Sequence, residues 1–266
     1  MDLSKEKFDI IIQGGQSNAE GCGKGPVTNE LVLSSNCFYL QAHKETFIND
    51  ENLHIIFLDK PFQIRTASEA RDNGEVLGDF SITFAQEYER LGLLKDGRKV
   101  LIVRAAVGGS GFKKGHWGIK NILHKKMIEL VDYALSLNPE NRVVVFLWHQ
   151  GEHDAFEGTK PEVYHEQLAE MISDVRTRYG NIPFIAGDFV DEWKSKNLES
   201  CNPIVSVIRQ VLHEVGNSGF IETYDLLSNN QTISNGDDIH FSRQSLHELG
   251  RRYFEIYRGL IIRSGI

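Results

Sequence analysis

Ser17 is the candidate nucleophile of this chain, within the stretch GGQSNAEG at residues 14–21. The glycines permit a tight turn that exposes a hydroxyl group, and a serine hydroxyl attacks a carbonyl once a base removes its proton. A serine in such a stretch also commonly caps a helix or stabilises a turn, and the local sequence leaves that structural role open. The stretch lacks both the Gly-x-Ser-x-Gly elbow of α/β-hydrolases and the Gly-Lys-Ser/Thr ending of a phosphate loop.

His240 is the candidate base, within DDIHFS at residues 237–242. Asp237 precedes it by three residues, a spacing that lets a short loop fold the carboxylate against the imidazole and stabilise the imidazolium that forms during proton transfer. Asp238 is closer in the sequence and competes for the same role. The cluster is also typical of the residues that cap a helix beginning near Ser242.

A third polar segment, HQGEHD at residues 149–154, directly follows an apolar run. The Gln150 amide can donate a hydrogen bond to a developing oxyanion, and Gly108 or Gly109 can offer a backbone N–H to the same oxygen. His149 and Glu152 must find buried partners or face a cavity. The segment also contains metal-ligand types, but it lacks the HExxH spacing, and we expect no metal.

Each polar segment follows a run of apolar or β-branched residues that indicates a buried strand. The predicted strands are residues 8–13, 99–106, 142–148, 182–186 and 219–224. The predicted helices are residues 79–93, 119–137, 161–179, 203–216 and 243–260. Alternating strands and helices predict an α/β fold with a doubly wound, five-stranded parallel sheet. The polar segments then meet at the carboxyl edge of that sheet, where such folds place their sites.

Residues 22–78 break this alternation, and only LHIIFL at residues 53–58 suggests an extra strand there. A long excursion inside a compact fold is usually functional or carries short strands of its own. Since no linker, repeat or low-complexity run interrupts the chain, we expect residues 1–266 to form a single domain.

Composition excludes several classes of protein. The chain has 266 residues, 41% of them apolar, and a formal net charge of -8, so nucleic acid is an unexpected partner. No apolar run approaches a membrane span, and the polar N-terminus lacks a signal peptide, which predicts a cytoplasmic protein without membrane contacts. Three scattered cysteines without a CxxC motif predict reduced thiols rather than disulfides or zinc: Cys22, Cys37 and Cys201.

Four segments together resemble the SGNH-hydrolase superfamily, in its sialate O-acetylesterase and carbohydrate esterase family 6 (acetylxylan esterase-like) branch. GQSNAEG at 15–21 is similar to that branch's nucleophile block, and VGGSG at 107–111 to its second block. WHQGEHDA at 148–155 is similar to its WHQGE(S/N)DA block, and DDIHFS at 237–242 to its DGxHFS-type block. Residues 73–92 also resemble the segment before the second block. The blocks stand in family order.

The resemblance implies a flavodoxin-like three-layer α/β/α sandwich and ester hydrolysis through an acyl-enzyme, without metal or cofactor. It assigns Ser17 as nucleophile, His240 as base and Asp237 as its partner. The implied oxyanion donors are the Ser17 N–H, a glycine N–H of the pair Gly108 and Gly109, and the Gln150 side chain. The implied supporting residues are Gln16, Asn18, His149 and Glu152.

The resemblance further implies deacetylation of xylo-oligosaccharides or related glycans, with a sialate O-acetylesterase as the alternative. Hydrolysis of another ester, as in a lipase or thioesterase, and a non-catalytic carbohydrate-binding module remain rivals. Trp117 and Trp148 are candidates for stacking on sugar faces, although packing in the core is an equal alternative. The sequence leaves the sugar, its hydroxyl and the oligomeric state open.

Three residues depart from the family pattern. Gly14 stands where the family usually has a larger residue, and His153 replaces a small Ser or Asn after HQGE. Asp238 stands where the family often has Gly, so the choice of Asp237 over Asp238 rests on spacing alone.

Overall fold

The computed structural model describes residues 3–27, 34–50, 52–67 and 78–263. Parts of the excursion at 22–78, and residues 73–77 of the segment that resembles the family, lie outside these ranges. The strands are β1 (Phe8–Gly15), β2 (Cys37–Gln41), β3 (Lys44–Asn49), β4 (Asn52–Phe57), β5 (Gln63–Thr66), β6 (Lys99–Arg104), β7 (Arg142–His149), β8 (Phe184–Gly187) and β9 (Ser218–Ile221).

The central sheet has the strand order β5-β2-β6-β1-β7-β8-β9. Its strands are parallel except for β5, which pairs antiparallel with β2 at one edge. All five predicted strands are present, as β1, β6, β7, β8 and β9. Their order β6-β1-β7-β8-β9 is the flavodoxin-like 2-1-3-4-5 order, so the predicted fold class is confirmed.

The predicted strand count of five is wrong, because the excursion adds β2 and β5 to make seven strands in this sheet. β2 has five residues and the edge strand β5 has four. Patterns this short do not distinguish a strand from a loop. The predicted strand at residues 53–58 corresponds to β4, which pairs with β3 as a separate antiparallel hairpin.

Helices cover both faces of the sheet. They are α1 (Ser17–Glu20), α2 (Ser81–Arg90), α3 (Ile122–Ser136), α4 (Glu152–Phe156), α5 (Pro161–Tyr179), α6 (Asp191–Lys196), α7 (Leu198–Val215), α8 (Asn229–Ile233) and α9 (Arg243–Arg263). Strand side chains alternate between two cores: Ile10 and Ile12 pack with α3, α5 and α7, whereas Ile11 packs with α2 and α9. This alternation makes the three layers of the sandwich. In the ranges that the structure describes, no helix is long and apolar enough to cross a membrane.

Candidate active site

Ser17 begins α1 directly after β1, at the point where the central strand ends. Gly15 makes this turn with φ of 133°, and a β-carbon there would overlap the carbonyl oxygen of His149 on β7. Only glycine lets the two backbones approach so closely. The Ser17 residue is 8% exposed, and its N–H has no hydrogen-bond partner within the described part of the chain. The hydroxyl and this N–H of Ser17 therefore both lie at the carboxyl end of β1.

His240 approaches Ser17 from the loop before α9. Its Nε2 lies 2.8 Å from Ser17 Oγ, and its Nδ1 lies 2.8 Å from Asp237 Oδ1. Because the carboxylate oxygen accepts a hydrogen bond, Nδ1 carries the proton and the Nε2 lone pair faces the serine hydroxyl. This arrangement can remove the serine proton and hold it on a ring stabilised by a carboxylate.

The two neighbouring aspartates of this loop point in different directions. Asp237 faces His240, whereas Asp238 Oδ2 lies 2.8 Å from Lys196 Nζ on α6. Only Asp237 is therefore within hydrogen-bond distance of the imidazole. The spacing of three residues, which favoured Asp237 in the sequence, coincides with this geometry.

Asn18 connects the nucleophile turn to the loop that carries His240. Its Nδ2 donates to Ile239 O at 3.1 Å, and its Oδ1 accepts the Phe241 N–H at 3.1 Å. The side chain thus holds the residues on both sides of His240. The same Nδ2 donates to Glu152 Oε1 at 2.8 Å. Glu152 in turn fixes the orientation of Asn18.

Glu152 and His149 are fully buried beneath this contact. Burial raises the pKa of Glu152 to about 7 and lowers the pKa of His149 to about 3. His149 Nδ1 lies 3.2 Å from the hydroxyl of Tyr253, which itself donates to Trp148 O at 2.6 Å. Tyr253 therefore accepts from a neutral His149 that is protonated at Nδ1. The two side chains are part of the packing below the site rather than the reacting surface.

Gln16 and Gln150 form a polar contact behind Ser17. Gln150 Nε2 donates to Asp154 Oδ2 at 2.6 Å, and it lies 3.3 Å from both Gln16 Oε1 and Ser110 O. Gln16 Oε1 also accepts the His153 N–H at 3.1 Å. The contacts of Gln150 Nε2 with Gln16 Oε1 and Ser110 O are long for hydrogen bonds. A stronger acceptor would therefore displace either of these two oxygens more readily than Asp154 Oδ2.

The two glycines after β6 differ in their hydrogen bonds. Gly108 donates its N–H to Glu20 Oε2 at 2.7 Å, so this donor is already engaged. Gly109 has φ of 71°, and its N–H has no partner among the residues that the structure describes. Of the pair that the sequence left open, Gly109 is the one whose N–H is available.

Trp117 and Trp148 do not line the site, so their predicted role in sugar stacking is wrong. Both side chains are fully buried, and they pack edge-to-face with ring centroids 4.9 Å apart. Trp117 Nε1 donates to Ser110 Oγ at 3.0 Å, which fixes the loop after β6 from below. The alternative, that both tryptophans pack in the core, is the arrangement in the structure.

The departures at Gly14 and His153 have structural explanations. A β-carbon on Gly14 would lie 2.7 Å from Phe146 Cε2 and 3.2 Å from Trp148 Cε3, so these rings fill the space of a larger residue. His153 is half-buried beside Gly111, and a β-carbon on that glycine would lie 3.1 Å from His153 Cδ2. The same β-carbon would lie 2.7 Å from Asp154 Oδ2, so Gly111 leaves room for both residues of this segment.

Asn229 lies at this site, although its place in the sequence does not predict it. It is fully buried, and its Nδ2 donates to Asp237 Oδ2 at 2.9 Å while its backbone N–H donates to His240 O at 2.8 Å. Its Oδ1 also accepts the Lys24 N–H at 2.8 Å. The only signal in the sequence was the repeated polar pattern SNNQT before the DDIHFS block, which is typical of a surface loop.

Comparison with known proteins adds to this geometry. The family model for "Carbohydrate esterase, sialic acid-specific acetylesterase" matches residues 7–259. The structure is similar to that of NanS, with a TM-score of 0.72 at 17% identity over 97% of this chain and 98% of that chain. A carbohydrate acetylesterase from Xanthomonas citri gives a TM-score of 0.63 at 19% identity over 95% of this chain and 56% of that one. A variant of an acetyl xylan esterase from Geobacillus stearothermophilus gives 0.52 at 10% identity over 96% of both chains. A search of curated proteins found no significant match.

Proposed function

The chain belongs to the carbohydrate esterase family of sialic acid-specific acetylesterases, within the SGNH hydrolases, and from that premise we propose that it is a serine esterase that removes acetyl groups from a carbohydrate. The observation that carries the proposal is the hydrogen-bonded series Ser17–His240–Asp237, with 2.8 Å at each contact. Ser17 and His240 lie near opposite ends of the sequence, so the proposal treats residues 1–266 as one catalytic domain.

In the first step, Ser17 Oγ attacks the acetyl carbonyl while His240 Nε2 takes its proton. Asp237 stabilises the imidazolium that results and keeps the reactive tautomer in place. The carbonyl oxygen becomes an oxyanion bonded to a tetrahedral carbon. Collapse of this intermediate breaks the bond to the sugar oxygen, and His240 returns its proton to that leaving hydroxyl.

The oxyanion is stabilised in our proposal by the N–H groups of Ser17 and Gly109, which have no other partner in the described ranges. Gln150 is the third donor. Its Nε2 now lies 3.3 Å from the Gln16 amide oxygen and from the Ser110 carbonyl oxygen. An oxyanion accepts a hydrogen bond more strongly than either of these oxygens, so the oxyanion replaces one of them. Each such donor contributes about 10²–10³-fold to the rate. The acetyl-enzyme is then hydrolysed by a water that His240 activates in the same way.

A neutral acetylated sugar, such as a xylo-oligosaccharide or a related glycan, is the substrate we propose. The nearest basic run offers little to a sugar carboxylate, because Lys114 Nζ lies 3.3 Å from Glu157 Oε2 and Lys113 Nζ donates to Glu157 O. The net charge of -8 acts in the same direction by disfavouring anions. O-acetyl sialic acid is the second candidate, since the matched family is described by that specificity.

Acetate release from the purified chain tests the proposal, with acetylated xylo-oligosaccharides and O-acetyl sialic acid assayed side by side. We expect activity on the first substrate, and loss of that activity in Ser17→Ala with an unchanged melting temperature. Ser136→Ala is the control, an exposed serine at the end of α3 whose hydroxyl donates to Tyr133 O at 2.7 Å, away from His240 and the loop after β6. Full activity in Ser17→Ala would refute the nucleophile, and an inactive wild-type chain would favour a carbohydrate-binding module. Greater activity on sialic acid would select the second candidate.

A further inference from the structure

Glu20 lies one helical turn after Ser17 and binds two groups at once. Its Oε2 accepts the Gly108 N–H at 2.7 Å, and its Oε1 accepts a hydrogen bond from Lys44 Nζ at 2.6 Å. The side chains of Glu20 and Lys44 are 30% and 24% exposed, so the ion pair is largely sheltered from solvent. The carboxylate therefore connects the nucleophile turn, the loop after β6 and the β3–β4 hairpin.

This carboxylate is close to the reacting serine. A β-carbon placed on Gly108 would lie 3.3 Å from Glu20 Oε2 and 3.5 Å from Ser17 Cβ, so both residues border the same glycine. A negative charge beside the reacting serine opposes the development of a second negative charge on the substrate oxygen. A cation bound to the carboxylate reduces that opposition, and Lys44 supplies one.

The hairpin that carries Lys44 also touches the loop beside it. A β-carbon on Gly109 would lie 3.8 Å from Leu53 Cδ2 on β4. The carbonyl oxygen of Leu53 lies 3.1 Å from His116 Nε2, in the segment that follows the same loop. Lys44 is thus held on an element that already packs against the oxyanion-binding loop, which favours a fixed position for its ammonium group.

We propose that Glu20 and Lys44 are positioning residues of the esterase. Glu20 fastens the Gly108 N–H and thereby fixes the loop so that the Gly109 N–H is left as the oxyanion donor, while Lys44 neutralises the carboxylate beside the reacting carbon. The inference rests on the proposed acetylesterase function. It assigns a task to two residues that take no part in the Ser17–His240–Asp237 series.

A double-mutant cycle with E20Q and K44M tests the charge compensation. K44M leaves an uncompensated carboxylate, and we expect it to lower kcat about tenfold with KM within about threefold, since the effect acts on the transition state. In the E20Q background the carboxylate is absent, and we expect K44M to have little further effect. A charge coupling between the two residues predicts this non-additivity, whereas a loss of packing by Lys44 predicts the same effect in both backgrounds.

A second variant tests the positioning of the loop. E20A removes the acceptor of the Gly108 N–H, and we expect kcat to fall about 10–100-fold, somewhat less than complete loss of one donor. Affinity for an alkylboronic acid, which forms a tetrahedral adduct with a serine, should fall in parallel, whereas KM should change little. K44R should retain most of the wild-type rate because it keeps the cation.

The ion pair of Glu6 and Lys99 supplies the matched control. It has similar exposure, 22% and 18%, but lies where β6 begins, at the opposite edge of the sheet. E6Q and K99M should leave kcat unchanged. An unchanged kcat in E20A, or equal effects of K44M in both backgrounds, would overturn the inference while the wild-type enzyme remains active. An inactive wild-type enzyme would instead overturn the proposed function.

Discussion

Asn229 Nδ2 donates a 2.9 Å hydrogen bond to Asp237 Oδ2, the carboxylate oxygen that does not bind the His240 ring. The other oxygen, Oδ1, binds both the ring Nδ1 at 2.8 Å and the backbone N–H of His240 at 3.3 Å. The carboxylate is therefore held at both oxygens. Its orientation toward the imidazole is fixed by a buried amide as well as by the imidazole itself.

Asn229→Asp should lower kcat/KM by about 10–100-fold. The change keeps the shape of the side chain but places a second carboxylate beside Asp237, and a like charge raises the pKa of a carboxyl group. The acid limb of the pH–rate profile should therefore move to higher pH. Asn202→Asp, at an exposed position on α7, is the control and should leave the profile unchanged. An unshifted acid limb would contradict this orienting role.

Asp237→Asn should lower kcat by about 10²–10⁴-fold, because an amide neither holds the reactive tautomer nor stabilises the imidazolium. Asp238→Asn should lower it less than threefold, since that carboxylate binds Lys196 Nζ at 2.8 Å instead. The two variants make the same Asp-to-Asn change at neighbouring positions, so each is the other's control. Steady-state kinetics on an acetyl ester decides between them, and a reversed order would transfer the role to Asp238.

Glu152→Gln should change how stability depends on pH. Burial raises the pKa of Glu152 from 4.5 to about 7, so the folded chain keeps a proton that the unfolded chain releases in this interval. The stability that this proton contributes is complete below pH 4.5 and is lost as the pH rises through 7. Glutamine keeps an acceptor for Asn18 Nδ2 and does not ionise.

The free energy of unfolding of Glu152→Gln, relative to wild type, should therefore rise by on the order of 2–3 kcal/mol as the pH increases across this interval. Urea unfolding at a series of pH values measures the difference. Glu170→Gln, at an exposed position on α5, should show no such trend. A difference that stays flat with pH would mean that folding does not raise the pKa of Glu152.

Gly14→Val should destabilise the fold by about 1–3 kcal/mol or more, because the added carbons would overlap the rings of Phe146 and Trp148. Gly259→Ala on α9 is a control in which a methyl group is easily accommodated, since a β-carbon there would lie 3.9 Å from Arg263 Nη1, at the far end of a flexible side chain. Alanine there should stabilise the helix. Thermal unfolding of both variants measures the contrast, and an unchanged melting temperature in Gly14→Val would contradict the packing argument.

The sequence predicted the features that have a repeating physical pattern. The apolar runs identified β1, β6, β7 and β8, since strands that are largely buried on both faces leave little choice of residue. The edge strand β9 is only half-buried, and its apolar and β-branched content identified it. The polar segments after those strands identified Ser17 and His240, because parallel strands bring their carboxyl ends to one edge. What could be predicted thus depended on local composition and on a general rule of topology.

The features that escaped prediction depend on tertiary contacts that neither residue type nor periodicity reveals. Glu20 and Lys44 form a pair only because the β3–β4 hairpin folds against α1, and Asn229 faces Asp237 only because α8 precedes the same loop. Trp117 and Trp148 have the residue type that binds sugars, but their environment is set by Phe112, Phe146 and each other. Residue type does not distinguish an exposed ring from a buried one.

The hydrogen bond between Ser17 and His240 joins positions that are 223 residues apart. The energy gained from that contact is available only after the intervening chain has been ordered, so we expect the contact to form late in folding. During refolding, helical signal should therefore return before hydrolytic activity does. On the ribosome, the same separation means that 223 further residues must be added after the proposed nucleophile before its proposed base is present.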